Sequence, residues 1–456
     1  MNTKIVRYIL CRMLGVEAAL LLVPALVAVI YQEKCGIVFL IPIAILCLLF
    51  LVAGRKRPEH GQIYGKEGMV IVALAWILWS LFGAMPFTLS GYIPSYVDAF
   101  FETVSGFTTT GSSIIPDVEV LPHCLLFWRS FTHWIGGMGV LVFVLVVTSL
   151  DRKNSMHLMR AEVPGPEKDK LVPKAMSTAR ILYGMYLTLT VIEMVFLVIG
   201  GMNLFDSMIF SFGSAGTGGF SNYADSVAHF NSAYIDGVIT VFCALFGVNF
   251  ALFYFMILGD FKSILKNEEL RTYILLIAGA TAAIMLNIHS LYPTIGKSFR
   301  YAVFQVVTVI TTTGYSTADF AQWPMFSKAV LMMLTVIGAC ASSTGGGIKV
   351  SRLLVGMKCV KREIVQLAHP KSVGIIRVGG KKVSSDVLRT IYIYFIAYVG
   401  ILIGSVVLVS LDNFDFETTF SAVLTTLGNV GPGMAQVGPM GNFCRVLTVF
   451  KINIML

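Results

Sequence analysis

A chain of 456 residues that is 56% hydrophobic and 13% charged, with a mean hydropathy of +0.80, cannot hide its apolar surface in a soluble core. Its net charge of +9 sits in short loops between apolar runs, which argues against nucleic-acid binding. Eight scattered cysteines with no CxxC spacing exclude a disulfide framework or a thiolate zinc site and read as small membrane-core residues.

In chain order the apolar runs Ile9 to Tyr31 and Gly36 to Gly54 form a leading hairpin. The first is too long for a cleavable signal peptide, and a second span follows it at once. Further spans are expected at Met69 to Ser90, Leu125 to Leu150, Ile181 to Gly201, Tyr234 to Leu258, Tyr273 to Leu291 and Val387 to Leu411, with shorter runs at Lys328 to Ala341 and Gly441 to Leu456. Met1 to Arg12, Arg55 to Gly68, Asp151 to Arg180, Gly259 to Arg271 and Ile348 to Arg389 hold 27 of the 34 Lys and Arg. Placed on one side, these stretches put the N-terminus in the cytoplasm by the positive-inside rule.

After the hairpin, a span, a short polar-apolar segment, a Thr/Gly run and a returning span occur four times. The Thr/Gly runs are SGFTTTG ending at Gly111, FGSAGTG at Gly218, TVITTTG at Gly314 and VLTTLG at Gly428. Their terminal glycines lie 107, 96 and 114 residues apart. The segments ahead of them (VDAFFETV, FDSMIFSF, FRYAVFQVV and FDFETTFSAV) are too short to cross and suit half-helices that dip in and return. Non-helical backbone at membrane depth is tolerated where it is buried in protein or lines a water-filled path. Repeats of one sense favour a central pore over two rocking halves. The expected architecture is an all-α polytopic membrane protein: a leading hairpin and loop (1–68), then pore repeats at 69–180, 181–271, 272–386 and 387–456, arranged pseudo-symmetrically around a central pore.

Aligned on the last glycine, the candidate ion-binding residues are Thr109, Thr110 and Gly111; Gly216, Thr217 and Gly218; Thr312, Thr313 and Gly314; and Thr426, Leu427 and Gly428. Such segments can turn successive carbonyls inward and replace the water shell of a dehydrated alkali cation. The copies differ in sequence, so the four lobes are chemically unequal. Asp117, Asp225 and Asp319 follow three of the glycines. They read equally as cation-concentrating groups and as loop solubility.

Lys328 to Ala341 begins as a membrane helix and then meets Ser342-Ser343-Thr344 and the glycines Gly345, Gly346 and Gly347, followed by Lys349. Consecutive glycines break a helix. The break reads either as an intramembrane gate, with Lys349 as a cation-repelling charge, or as a plain helix end with snorkelling basic residues.

These segments, with HWIGGMG (His133 to Gly139) and STGGGIKVSR (Ser343 to Arg352), resemble the Trk/Ktr/HKT superfamily of potassium transporters. The leading hairpin makes the chain most similar to the bacterial Trk membrane subunit. The resemblance implies potassium uptake in a bacterial inner membrane, K+ as cargo with no bound cofactor, a gating loop at Gly345 to Lys349, a homodimer surrounded by lipid, and a cytosolic ring of nucleotide-binding regulatory subunits. It associates glycine at the last filter position, Gly111 in the first copy, with potassium. Gly216 and Leu427 depart from the threonines of the other copies, and Gly441 to Leu456 reads as a final span cut short. An intramembrane enzyme is disfavoured because HExxH, GxSxG and paired intramembrane Asp are absent. A non-conducting assembly subunit is the remaining alternative, raised by the short last span.

Overall fold

The computed structural model describes residues 2–55, 65–139, 175–372 and 374–444. These are almost wholly helical. The described strands are one small ladder, Arg377–Val378 (β1) against Lys381–Lys382 (β2), in which Arg377 faces Lys382. The described residues fall into two compact units, one within Met1–Val163, Lys170–Asn231 and Asn442–Leu456, the other within Ser232–Gly441. The boundary cuts the second repeat between the loop after its Thr/Gly run and its returning helix.

The first unit opens with α1 (Thr3–Ile30), whose Asn2 cap accepts from Ile5 N at 3.4 Å. A 3-10 turn, α2 (Leu40–Leu49) and a wide final turn make one apolar run over Lys34–Gly54 and complete the expected hairpin. Then come α3 (Gly65–Leu89), α4 (Tyr96–Phe107), α5 (His123–Gly137), α6 (Ala175–Ile199) and α7 (Leu204–Gly216). Residues 140–150 of the expected span Leu125 to Leu150 lie outside the described residues. Glu33, in the hairpin turn, caps α5 by accepting from the backbone N–H groups of His123 (2.7 Å) and Cys124 (3.0 Å). Burial pushes the Glu33 carboxyl up, but the hydrogen bonds from Cys124 and His123 together outweigh it and hold its pKa below the ordinary value. Edge-on contacts of Phe107 with Trp79 (5.5 Å) and Trp128 (5.9 Å) lock α3, α4 and α5 together.

The second unit holds α8 (Ala233–Phe246), α9 (Phe250–Ile257), α10 (Phe261–Lys266), α11 (Glu268–Ile288), α12 (Ile295–Ile310), α13 (Met325–Ile337), α14 (Val350–Ala368), α15 (Ser385–Val409) and α16 (Phe416–Leu427). Its core gathers Tyr273 and Ile284 of α11, Val306 and Ile310 of α12, and Leu331 and Leu334 of α13. Six described helical runs are long and apolar enough to cross a bilayer, or seven if α8 and α9 count as one. The all-α, multi-pass architecture read from composition is therefore what the chain adopts.

Two expected spans are broken. Tyr234 to Leu258 is not one helix, because α8 and α9 meet at a 94° bend. Asn249 causes the second start, its side chain accepting from Ala251 N at 2.9 Å. The helix of Lys328 to Ala341 stops at Ile337, earlier than the glycine run suggests, because Gly338 takes φ 72°.

The four expected half-helices are α4, α7, α12 and α16, of 12, 13, 16 and 12 residues. At about 1.5 Å per residue, each falls short of the roughly 30 Å hydrocarbon core. Each has a side-chain cap, from Ser95, Asn203, Thr294 and Asp415. Each runs with its C-terminus into a Thr/Gly segment.

Candidate functional site

The four half-helices end in the same backbone turn. Past each helix a residue takes a left-handed φ: Thr109 (60°), Thr217 (55°), Thr312 (61°) and Asn429 (62°), the first residue after the helix in the second copy and the second in the other three. Its N–H donates three residues back, to Gly106, Ser214, Val309 and Thr426 carbonyls at 3.0 to 3.1 Å. The next N–H, of Thr110, Gly218, Thr313 or Val430, donates five residues back at 2.8 to 2.9 Å. This is a Schellman-type helix end. Two residues after the left-handed residue comes a glycine of positive φ: Gly111 (80°), Gly219 (74°), Gly314 (80°) and Gly431 (93°). The backbone thus alternates in the sign of φ over three residues, four times.

The recurrent backbone turn follows a register different from the one drawn on the last glycine of each Thr/Gly run. The counterparts of Gly111 and Gly314 are Gly219 and Gly431, so alignment on the last glycine of each Thr/Gly run slips by one residue in the second copy and by three in the fourth. Thr426 and Leu427 lie inside α16, and the Thr426 hydroxyl bonds back to the Ala422 carbonyl at 2.7 Å. Gly428 (φ −76°) corresponds to Thr108, Gly216 and Thr311. Gly218 and Gly428 are glycine because of packing, not φ. A Cβ on Gly218 would overlap the His133 ring, and one on Gly428 would lie 2.9 Å from the Leu424 and Thr335 carbonyl oxygens.

In the first unit, the C-terminal turn of α5 touches both segments. A Cβ on Gly136 would overlap the Phe107 carbonyl and lie 3.1 Å from Thr109 Cγ2. One on Gly137 would lie 2.5 Å from Gly216 Cα and 2.8 Å from the Tyr186 hydroxyl. His133, fully buried, packs on the second segment with its ring centroid 4.1 Å from that of Phe220. The glycines of HWIGGMG therefore let α5 lie directly against two segments, and His133 is the reason for Gly216 and Gly218. A buried ion pair braces the same region. Arg129 Nε donates to Glu102 at 2.6 Å, Arg129 Nη1 donates to the Ser221 carbonyl at 2.8 Å, and its guanidinium lies 3.6 Å from the Phe220 ring centroid. Glu102 also accepts from Ile114 N at 2.9 Å and from the Ser113 hydroxyl at 3.0 Å. One ion pair thus ties α4 and α5 to the chain leaving both segments of this unit.

In the second unit, the third and fourth segments are neighbours. A Cβ on Gly314 would lie 2.7 Å from Pro432 Cδ and overlap the Val430 carbonyl. Against them lies the glycine loop between α13 and α14. Gly346 N donates to the Thr312 hydroxyl at 2.6 Å. Cβ atoms on Gly345 and Gly346 would lie 2.6 Å from the Thr311 carbonyl oxygen and 2.6 Å from Asn429 Cβ, respectively. Gly347 takes φ 73° and abuts Gly338. All three glycines are thus demanded by close approach or by positive φ. Lys349 is 3% exposed, and its Nζ folds back to donate to the Gly345 carbonyl.

Of the three acidic residues, Asp117 and Asp319 cap turns and Asp225 pairs with a histidine. Asp117 accepts from Glu119 N at 3.0 Å, Asp319 accepts from Ala321 N at 3.1 Å, and Asp225 lies 3.5 Å from the His229 ring nitrogen. The threonine hydroxyls are braced too. Thr108 donates to the Val104 carbonyl at 2.7 Å and shares a hydrogen with Thr110 at 2.8 Å; Thr311 and Thr313 repeat the arrangement at 2.7 and 2.9 Å. The described residues contain no cluster of His, Cys, Asp or Glu fit to hold a metal ion.

Gly219, Asn429, Val430 and Gly431 of the recurrent turn, and the Glu102–Arg129 pair, lie outside the residues singled out from the Thr/Gly runs. A signal for the second copy was present. Thr217-Gly218-Gly219-Phe220-Ser221 parallels Thr312-Thr313-Gly314-Tyr315-Ser316 once the following aromatic and serine are aligned.

Residues 36–447 match the family model TrkH, described as cation transport protein. The chain is similar to the Trk system potassium uptake protein TrkH of Escherichia coli K12, 35% identical over 442 residues, covering 94% of this chain and 90% of that protein. It is 33% identical to the Trk system potassium uptake protein TrkG of the same organism, over 95% of this chain and 91% of that one. The crystal structure of the potassium transporter TrkH from Vibrio parahaemolyticus superposes with a TM-score of 0.89 at 31% identity, covering 100% of this chain and 95% of that one.

Proposed function

Because the chain belongs to the TrkH family of cation transport proteins, we propose that it is the membrane subunit of a bacterial potassium uptake system in the inner membrane. It is a transporter, not an enzyme. In this reading potassium passes a filter lined by the carbonyls of Thr109 to Gly111, Thr217 to Gly219, Thr312 to Gly314 and Asn429 to Gly431. The observation that carries the reading is the fourfold recurrence of a left-handed residue followed, two positions on, by a positive-φ glycine.

A run of one φ sign turns successive strand carbonyls to opposite sides. Alternating the sign lets them face one way and stand in for the water shell of K+. The hydroxyls of Thr108, Thr110, Thr311 and Thr313 bond within the wall, which supports carbonyls as the ion's donors. Four helix C-termini, each the negative end of a dipole, run into these segments and favour a cation there. Chemically unequal lobes predict weaker knock-on between ions than in a symmetric channel.

The Gly345 to Lys349 loop is the gate in this account, supported by its packing on the third and fourth segments. The relatives' name, a system, accords with further components, and we infer a homodimer acting with a cytosolic nucleotide-binding ring, its N-terminus cytoplasmic. Potassium flux into vesicles reconstituted with the purified chain tests the function. Uptake with K+ preferred over Na+ supports it, and vesicles no more permeable than protein-free ones overturn it.

A further inference from the structure

Glu269, in the first turn of α11, is 8% exposed. Its Oε1 accepts from Ala341 N at 2.6 Å and from Ser351 N at 3.1 Å. Those two residues bracket the glycine loop. One carboxylate oxygen on a separate helix therefore pins both ends of the loop. The Lys349 charge lies within electrostatic reach of the same carboxylate. Glu269 also stands in the wall of a cavity of 530 Å³, with Glu268, Ala341, Ser342, Ser351 and Lys381. The pin is thus set beside a space into which the loop ends can move.

Backbone bonds join the two arms of the loop to each other, from Ile348, Lys349 and Val350 N to the Val336, Ile337 and Ala339 carbonyls at 2.9 to 3.1 Å, and the remaining contacts with other elements each hold one arm. Cys340 N donates to the Gly247 carbonyl and Phe250 N to the Ser342 carbonyl, at 3.0 and 3.1 Å. Both use the bend between α8 and α9. No other described side chain reaches both Ala341 and Ser351 with a hydrogen bond. A buried N–H that loses its acceptor is costly, and bonds to a charged acceptor are roughly twice as strong as neutral ones. Removing the carboxylate strands two donors at once, and a displaced loop that hydrates them becomes the better state.

We propose that Glu269 is the latch of the gate, a positioning residue whose carboxylate holds the glycine loop against the third and fourth filter segments. The inference rests on the reading of this loop as the gate. It adds the residue that keeps the gate shut and the cavity into which it releases.

The test compares K+ flux of the full chain in vesicles for the unmodified protein, Glu269→Gln, Glu269→Ala, deletion of Ser343 to Gly347, and Glu269→Ala combined with the deletion. Glu269→Ala is expected to raise basal flux about tenfold, and Glu269→Gln, which keeps a neutral acceptor, by less. Both should leave K+ over Na+ preference unchanged, and the combination should conduct no faster than the deletion alone. If Glu269→Ala fails to insert, the isosteric Gln variant decides. A deletion that raises flux while the Glu269 variants stay at the basal level overturns the latch and leaves the gate. A deletion without effect overturns the gate reading and the latch with it. Lost ion preference, or a further rise on top of the deletion, marks general loosening and also overturns the latch.

Discussion

The backbone N–H of Gly346 donates to the hydroxyl of Thr312 at 2.6 Å, joining the glycine loop to the third Thr/Gly segment by a direct hydrogen bond. Thr312 is the left-handed residue of its helix end, so the loop is bonded to the residue that turns the chain out of α12. Loop position and segment geometry are therefore linked.

Gly346→Ala should displace the loop. Its Cβ would meet Asn429 Cβ at 2.6 Å and the Gly428 carbonyl oxygen at 2.8 Å, a clash with backbone that cannot give way cheaply. Basal K+ flux in vesicles is expected to rise about fivefold, corresponding to about 1 kcal/mol in the loop equilibrium. Flux at the unmodified level, with the protein inserted, would argue that the loop does not obstruct the path.

Thr426→Ala and Leu427→Ala should leave the K+ over Na+ permeability ratio within about twofold of the unmodified protein, since neither carbonyl belongs to the alternating-φ segment and filter selectivity comes from the lining carbonyls. A large loss of preference in either variant would favour the register drawn from the Thr/Gly runs over that drawn from the backbone.

Much of this architecture was legible because apolar run length reports directly on crossing and on failure to cross. The half-helices at Val97, Phe205, Phe299 and Phe414 were visible as runs too short and too polar to span. The register of the recurrent turn was not fully legible, because glycine has two causes here. Gly111, Gly219, Gly314 and Gly431 answer a positive φ, whereas Gly216, Gly218 and Gly428 answer a close neighbour. Sequence cannot separate the two until packing is known. The bend at Gly247 to Asn249 was hidden for a similar reason, since a break that docks against another loop leaves overall hydropathy unchanged. Glu269 was invisible because its partners lie 72 and 82 residues away and are backbone N–H groups.

Arg129→Gln should destabilise the protein strongly. It leaves the Glu102 carboxylate 1% exposed without its cation, a change that typically costs about 3–5 kcal/mol. Glu102→Gln combined with Arg129→Gln should cost clearly less than the sum of the single changes. Thermal unfolding in detergent measures both, and additive losses would contradict a coupled pair.

Glu33 should make stability depend on pH in the acid range. Its folded pKa is lowered, so its contribution is complete above the ordinary Glu value of roughly 4.3 and is lost as pH falls through the lowered one. Glu33→Gln is expected to lower the melting temperature at pH 7 and to make little difference near the acid end. An equal effect at both pH values would rule out the charge as the source.

The central claim is a potassium filter built on four positive-φ glycines, and the relative permeability to K+ and Na+ of Gly111→Ser, Gly219→Ser, Gly314→Ser and Gly431→Ser in reconstituted vesicles tests it most directly. A Cβ at positive φ strains the backbone that aims the carbonyls. The account predicts that every one of the four inserted variants loses preference for K+, whichever unit carries it. Unchanged K+ over Na+ permeability at Gly219 or Gly431, with loss at Gly218 or Gly428 instead, would contradict the filter as drawn here.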